Sequence, residues 1–92
     1  MRFEWDENKA AGNLAKHGVS FEEAATVFGD PLSDTFDDPD HSAEERRFII
    51  IGMSDRGRML IVSHTDDGEV VHIISAREPT RSEREFYEES RT

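Results

Sequence analysis

Ninety-two residues suffice for one domain, residues 1–92, and exclude a multidomain enzyme with separate cofactor and substrate lobes. Leu, Ile, Val and Phe supply 20 of them against a formal charge of −10, so folding rests on one modest core. With no Cys, disulfides, thiolate metal sites and a Cys nucleophile are excluded as well.

In chain order, residues 2–5 alternate as a short strand with Phe3 and Trp5 on one side. Asp6 caps a helix over residues 7–17, which carries Ala10, Ala11, Leu14 and Ala15 at helical spacing and stops at Gly18. Ser20-Phe21-Glu22-Glu23 reads as a capping box, and Phe21, Ala24, Ala25 and Phe28 continue the helical period to Gly29, so a helical hairpin with a three-residue link is expected. A short strand around residues 33–36 follows. From Arg46 the period changes: Phe48-Ile49-Ile50-Ile51-Gly52-Met53 suits a central strand covered on both faces. Residues 58–65 and 70–77 complete a three-stranded meander, with turns at Asp55-Arg56-Gly57 and Asp66-Asp67-Gly68-Glu69. Pro79 ends the last strand, and Thr80-Arg81-Ser82-Glu83 is a second capping box opening a terminal helix to about Ser90. The resulting fold class is α+β, an antiparallel β-meander sheet with an N-terminal helical hairpin and a C-terminal helix.

No apolar run exceeds the four residues of Phe48-Ile49-Ile50-Ile51, far short of a membrane span, and the N-terminus lacks an apolar signal core, so a cytoplasmic protein without membrane contact is expected. Charge is unevenly spread: residues 20–45 hold nine acids and no Lys or Arg, while the rest is nearly balanced. That acidic stretch reads as a solvated face or as a surface for a basic partner, and it leaves room for a local basic site elsewhere. No metal is expected, because His17, His41, His64 and His72 show no His-x-x-x-His spacing, although His64 and His72 fall on neighbouring strands. A Ser-His-Asp arrangement is unsupported, since no Ser sits in a Gly-x-Ser-x-Gly elbow, and no cofactor is expected, because the six glycines are scattered rather than gathered into a phosphate loop.

What remains is a set of arginines at strand ends. Arg46 and Arg47 open the first long strand, Arg58 opens the second, and Arg77 closes the third, with Ser54 at the same sheet end as Arg58 and Arg77. A planar guanidinium suits a phosphodiester, while pairing with a nearby acid is the plain structural alternative in a chain with 21 acids and 11 bases. Register decides which of them share a face. A three-residue turn ending in a left-handed Gly57 sets Ser54 opposite Arg58 and points Arg47 to the other side; a two-residue Arg56-Gly57 turn gathers Arg47, Arg58 and, with Thr65 paired to Val70, Arg77 on one face. Glycine geometry favours the first. Lys16-His17 sits at a helix C-terminus, where cations are stabilised, and reads as a cap or as a chemical pair.

Phe3-Glu4-Trp5-Asp6-Glu7-Asn8-Lys9, then Asn13, Lys16-His17-Gly18-Val19-Ser20-Phe21-Glu22-Glu23-Ala24 and Val27-Phe28, closely resemble the opening of the BrnT family of type II toxins. Glu45-Arg46-Arg47-Phe48, Ile51-Gly52, Ser54, Gly57-Arg58, Ile73-Ile74-Ser75-Ala76-Arg77, Thr80 and Glu83-Arg84 resemble its second half. The resemblance implies a RelE-like fold and a metal-independent ribonuclease that arrests growth. It also implies a BrnA-type antitoxin that binds DNA and represses the shared operon, the toxin chain itself making no direct DNA contact. Under that resemblance, His17, Glu45, Arg47, Arg58 and Arg77 are the candidate catalytic residues, and Lys16, Arg46, Ser54 and Arg81 the candidate RNA-binding ones. Where the family often reads Glu-Glu-Arg-Phe, this chain has Glu45-Arg46-Arg47-Phe48, so the acidic role falls to Glu44 or Glu45. A partner-binding module of the same fold that only docks the antitoxin is the alternative.

Overall fold

A computed structural model describes residues 1–38 and 46–89. The elements are β1 (Arg2–Trp5), α1 (Glu7–His17), α2 (Phe21–Thr26) running into a 3₁₀ turn (Val27–Gly29), β2 (Asp34–Asp37), β3 (Phe48–Met53), β4 (Met59–Asp66), β5 (Val70–Arg77) and α3 (Arg81–Glu89). Local chemistry sets their ends. The Asp6 carboxylate accepts from the N–H groups of Asn8 and Lys9, and Gly18, at φ 68°, closes α1 in the left-handed region. At α3 the capping box is reciprocal: Thr80 Oγ1 accepts from Glu83 N–H at 3.2 Å, and the Glu83 carboxylate accepts from Thr80 N–H at 2.8 Å.

The five strands lie in the order β1-β5-β4-β3-β2. β2 to β5 are antiparallel neighbours, and β1 joins the edge parallel to β5. Side chains at even positions of β3 and β4, such as Ile50, Leu60 and Val62, face α1 and α2. There they form one core with Val19, Phe21, Ala24, Val27, Val71, Ile73 and Ala76. Odd positions face the other way, toward α3, whose Tyr87 is buried and donates its hydroxyl to Leu32 O at 2.8 Å. Among the described residues no helix is long and apolar enough to cross a membrane.

A turn and a bulge set which face each arginine occupies. In the β3–β4 turn Gly57 has φ 79° and Ser54 N–H donates to Arg58 O at 2.9 Å, the three-residue geometry with Met53 opposite Met59. In β5 the register slips by one residue: Ser63 pairs with Ser75 while His64 pairs with Ile73, leaving Ile74 extra. This β-bulge reverses the alternation, so Ala76 joins the core with Ile73 and Arg77 turns to the α3 side.

Asn13 stands in for a missing strand. β1 ends opposite Ile73, so beyond it the outer edge of β5 has no strand partner among the described residues. The Asn13 amide fills that gap: Oδ1 accepts from Ala76 N–H at 3.0 Å, while Nδ2 donates to Ala76 O at 2.8 Å and to Val19 O at 2.9 Å. The helical hairpin is thereby clamped to the sheet.

Gly52 is required by close approach rather than by φ. A Cβ there would lie 2.9 Å from Ser33 Cβ, 3.0 Å from Asp30 Oδ2 and 3.1 Å from Val27 Cγ1. Asp30 cannot easily yield, because Oδ2 accepts from Met53 N–H at 2.8 Å and Oδ1 from Leu32 N–H at 2.9 Å. Gly52→Ala is therefore expected to destabilise the fold by about 1–3 kcal/mol, read as a lower thermal midpoint. An unchanged midpoint would contradict the close packing described.

Candidate active site

One end of the sheet gathers the chemistry. Arg58, just before β4, lies on the α1–α2 side and is clamped by a single carboxylate. Nε donates to Glu23 Oε2 at 2.8 Å and Nη2 to Glu23 Oε1 at 2.6 Å, the bidentate pairing a planar guanidinium favours. Nη2 also donates to Gly18 O at 2.8 Å, which ties the end of α1, and with it Lys16 and His17, to the site. Ser54 Oγ donates to Glu23 Oε2 at 2.7 Å, and Ser54 itself is buried. The Glu78 carboxylate approaches Arg58 Nη1 at 3.5 Å.

Arg77, at the end of β5, occupies the opposite face. It donates from Nη1 and Nη2 to the Glu83 carboxylate at 2.7 and 2.9 Å, and from Nη1 to Glu78 O at 3.3 Å. Residue 78 thus touches both arginines, its carboxylate facing Arg58 and its carbonyl facing Arg77. Beside Arg77 a groove of about 400 Å³ runs between α3 and the sheet, lined by Phe36, Ile49, Ile51, Ile61, Ser82, Glu83 and Phe86.

The electrostatics assign roles to the two acids. Arg58's hydrogen bonds hold the Glu23 carboxyl down at about 2 against the opposing effect of burial, with Ser54 helping. Arg77 in the same way lowers Glu83 to about 2, reinforced by the Thr80 N–H. Carboxylates that hold a proton so weakly are poor general bases near neutrality. They act instead by fixing the two guanidiniums, whose own pKa values are raised by the same partners.

The other sequence candidates fall elsewhere. Continuing the ladder past Phe48 opposite His64 puts Arg47 opposite Thr65, about 20 Å along the strands from Arg58. Arg46 pairs with Asp37 at 3.1 Å, lies 5.1 Å over the Phe48 ring and borders a polar hollow with Arg2, Thr65 and His72. Arg81 pairs with Glu85 at 3.2 Å on the exposed start of α3. Lys16 is exposed and His17 half-buried at the end of α1. Glu44 and Glu45 lie outside the described residues. Thus Arg58 and Ser54 meet at Glu23, Lys16 and His17 lie in the turn of α1 that ends at the Gly18 carbonyl held by Arg58, Arg77 backs this end from the other face, and Arg46 and Arg47 occupy the far end. His64 and His72, on paired strands, do not meet, because Thr65 rather than His64 stands opposite His72. His64 is buried against Phe28 and Phe48, with burial lowering its pKa, and belongs to the core. Among the described residues no three His, Asp or Glu side chains gather to hold a metal ion.

Sequence reasoning missed Glu23. Its place three residues after Ser20 explained it as a cap, and Ser20 Oγ does accept from Glu23 N–H at 3.0 Å. The carboxylate, however, turns inward to Arg58, and only the excess of a Glu22-Glu23 pair over what one cap needs hints at this in the sequence.

Comparison with known proteins agrees with this architecture. A family model described as ribonuclease toxin, BrnT, of type II toxin–antitoxin systems matches residues 5–83. Among solved structures, the 1.1 Å crystal structure of the Brucella abortus ribonuclease toxin BrnT is similar, with a TM-score of 0.68 and 26% identity over 88% of this chain and 99% of that one. No curated protein matches the sequence.

Proposed function

Since the chain belongs to the BrnT family of ribonuclease toxins of type II toxin–antitoxin systems, we propose that it cleaves RNA at the sheet end carrying Arg58 and Arg77, without a metal ion, and so arrests growth. The observation that carries this reading is Arg58. Its guanidinium is held rigidly by Glu23 and, through Nη2, by Gly18 O, the carbonyl that follows Lys16 and His17, while Nη1 meets the half-exposed Glu78 carboxylate at 3.5 Å. A cation fixed before the substrate arrives loses little to reorganisation when phosphorane charge develops.

In the proposed reaction the ribose 2′-oxygen attacks phosphorus as its proton passes to His17, the base candidate at this end of the sheet. The bond from phosphorus to the 5′-oxygen breaks, and that oxygen takes up a proton. The products are a 2′,3′-cyclic phosphate and a 5′-hydroxyl. Arg58 stabilises the phosphoryl oxygens, Arg77 on the opposite face of the same sheet end holds the adjoining phosphate, and Lys16 adds positive field. Arg46 and Arg47 at the far end, and Arg81 on the exposed start of α3, would contact flanking RNA.

The family supplies an antitoxin partner, in this reading a BrnA-type chain that binds DNA, represses the operon and inhibits by covering the arginine-bearing sheet end. A chain of formal charge −10 is itself poorly suited to duplex DNA, which supports assigning DNA contact to the antitoxin.

The pairing of both guanidiniums with carboxylates favours a second reading, a docking module without chemistry. Arg77→Ala separates the two. In the nuclease reading it lowers RNA cleavage by about 10²-fold and relieves growth arrest on induction, while co-purification of the antitoxin survives. Cleavage unaffected by this substitution, or wild-type induction that leaves growth and RNA intact, would overturn the proposal.

A further inference from the structure

Resting on the reading that Arg58 receives the RNA phosphate, we propose that the Glu78 carboxylate is an internal competitor for that phosphate, seated on the outer edge of the Arg58 guanidinium and setting how strongly RNA binds there.

The donor inventory carries the argument. A guanidinium offers five N–H donors in a fixed plane. Three of those on Arg58 are committed, Nε and one Nη2 hydrogen to Glu23 and the other Nη2 hydrogen to Gly18 O. Both remaining donors sit on Nη1, the nitrogen that Glu78 Oε2 approaches at 3.5 Å. A phosphate oxygen bound by Arg58 must therefore come to Nη1, the nitrogen that Glu78 Oε2 already approaches.

The two carboxylates on Arg58 differ in kind. Glu23 is 3% exposed and accepts from Ser54 as well, so it cannot leave without stranding buried charge. Glu78 is 52% exposed and its 3.5 Å approach is longer than a charge-assisted hydrogen bond, so rotation into water costs it little. Its backbone stays anchored meanwhile, because Glu78 O accepts from Arg77 Nη1 at 3.3 Å. Arg58 with Glu23 is neutral, and Glu78 makes the group net negative. Displacing or neutralising Glu78 is what opens the site to a phosphodiester.

Glu78→Gln keeps the shape and removes the charge. Binding of a 2′-O-methyl RNA oligonucleotide, which lacks the attacking hydroxyl, should tighten about three- to fivefold at low salt, and the gain should shrink as salt is raised. Glu69→Gln, an equal change of net charge in the hairpin at the other end of the sheet, should leave binding nearly unchanged. In an Arg58→Lys background, which keeps a cation for Glu23 but loses the Nη1 edge, Glu78→Gln should bring no gain. The proposal is overturned if Glu78→Gln does not tighten binding, if Glu69→Gln tightens it equally, or if the gain persists with Lys at position 58. If Arg58→Lys alone binds and cleaves RNA as the wild type does, the phosphate role of Arg58 has failed and the competitor role falls with it. If Arg58→Lys weakens binding while Glu78→Gln changes nothing, only the competitor role has failed.

Discussion

Glu23→Ala is expected to cost about 3 kcal/mol of stability and to lower the thermal midpoint by on the order of 15 °C. The carboxylate is buried and is the shared acceptor for Arg58 Nε and Nη2 and for Ser54 Oγ. Removing it strands a guanidinium and a buried hydroxyl together. Arg58, whose side chain is 30% exposed, can recover some hydration, which keeps the cost at the lower end for a buried pair. The interaction also has a pH signature. Glu23 sits at about 2 in the fold against 4.5 for a free carboxyl, so its contribution is fully present above the unfolded value and is lost as pH falls from about 4.5 toward 2. The stability gap between wild type and Glu23→Gln, measured by denaturant unfolding, should accordingly narrow across that window. A gap equally wide at pH 2.5 and pH 7 would show that the pair contributes nothing through its charge. Glu83, held at about 2 by Arg77, loses its contribution in the same window, but it is more exposed, so its part is smaller.

The second large effect is expected at Asn13. Its alanine variant leaves Ala76 N–H, Ala76 O and Val19 O without the amide that satisfies them. At about 1–3 kcal/mol for each buried group left unpaired, and with water reaching part of the gap, a loss of roughly 3–4 kcal/mol is expected. Asn13→Asp should be no better near neutrality, since it keeps the shape but replaces a donor by an oxygen facing two carbonyls. Amide hydrogen exchange gives a local readout: Ala76 N–H should lose protection in the alanine variant well beyond the global change in stability. Equal loss of protection across β5 would mean that Asn13 contributes only generic packing rather than replacing a strand at that edge.

These residues also mark where reading the sequence stops. The capping signals at Asp6, Ser20 and Thr80 and the glycine at position 18 place all three helices, because they act within a few residues of the backbone they satisfy. The β3–β4 register is equally legible, since Gly57 in the left-handed region sets the turn length and the turn length sets the pairing. Beyond such short range the signals fade. Nothing near Arg2-Phe3-Glu4-Trp5 names β5, about 70 residues on, as its parallel neighbour. Glu23 has a sufficient local reason to exist, which concealed its second partner 35 residues away.

The sequence by itself determined the elements, the meander, the placing of Arg46, Arg47, Arg58 and Arg77 at strand ends and the family. Each of these is written in neighbouring residues or in the alternation of a single strand. Only the tertiary structure decided which face each arginine occupies and which acid it meets. One extra residue in β5, Ile74, turns Arg77 away from Arg58 toward α3, and no local pattern marks it. With 21 acids available to 11 bases, pairing is a matter of which side chains packing brings within reach, and that is settled by the whole fold at once.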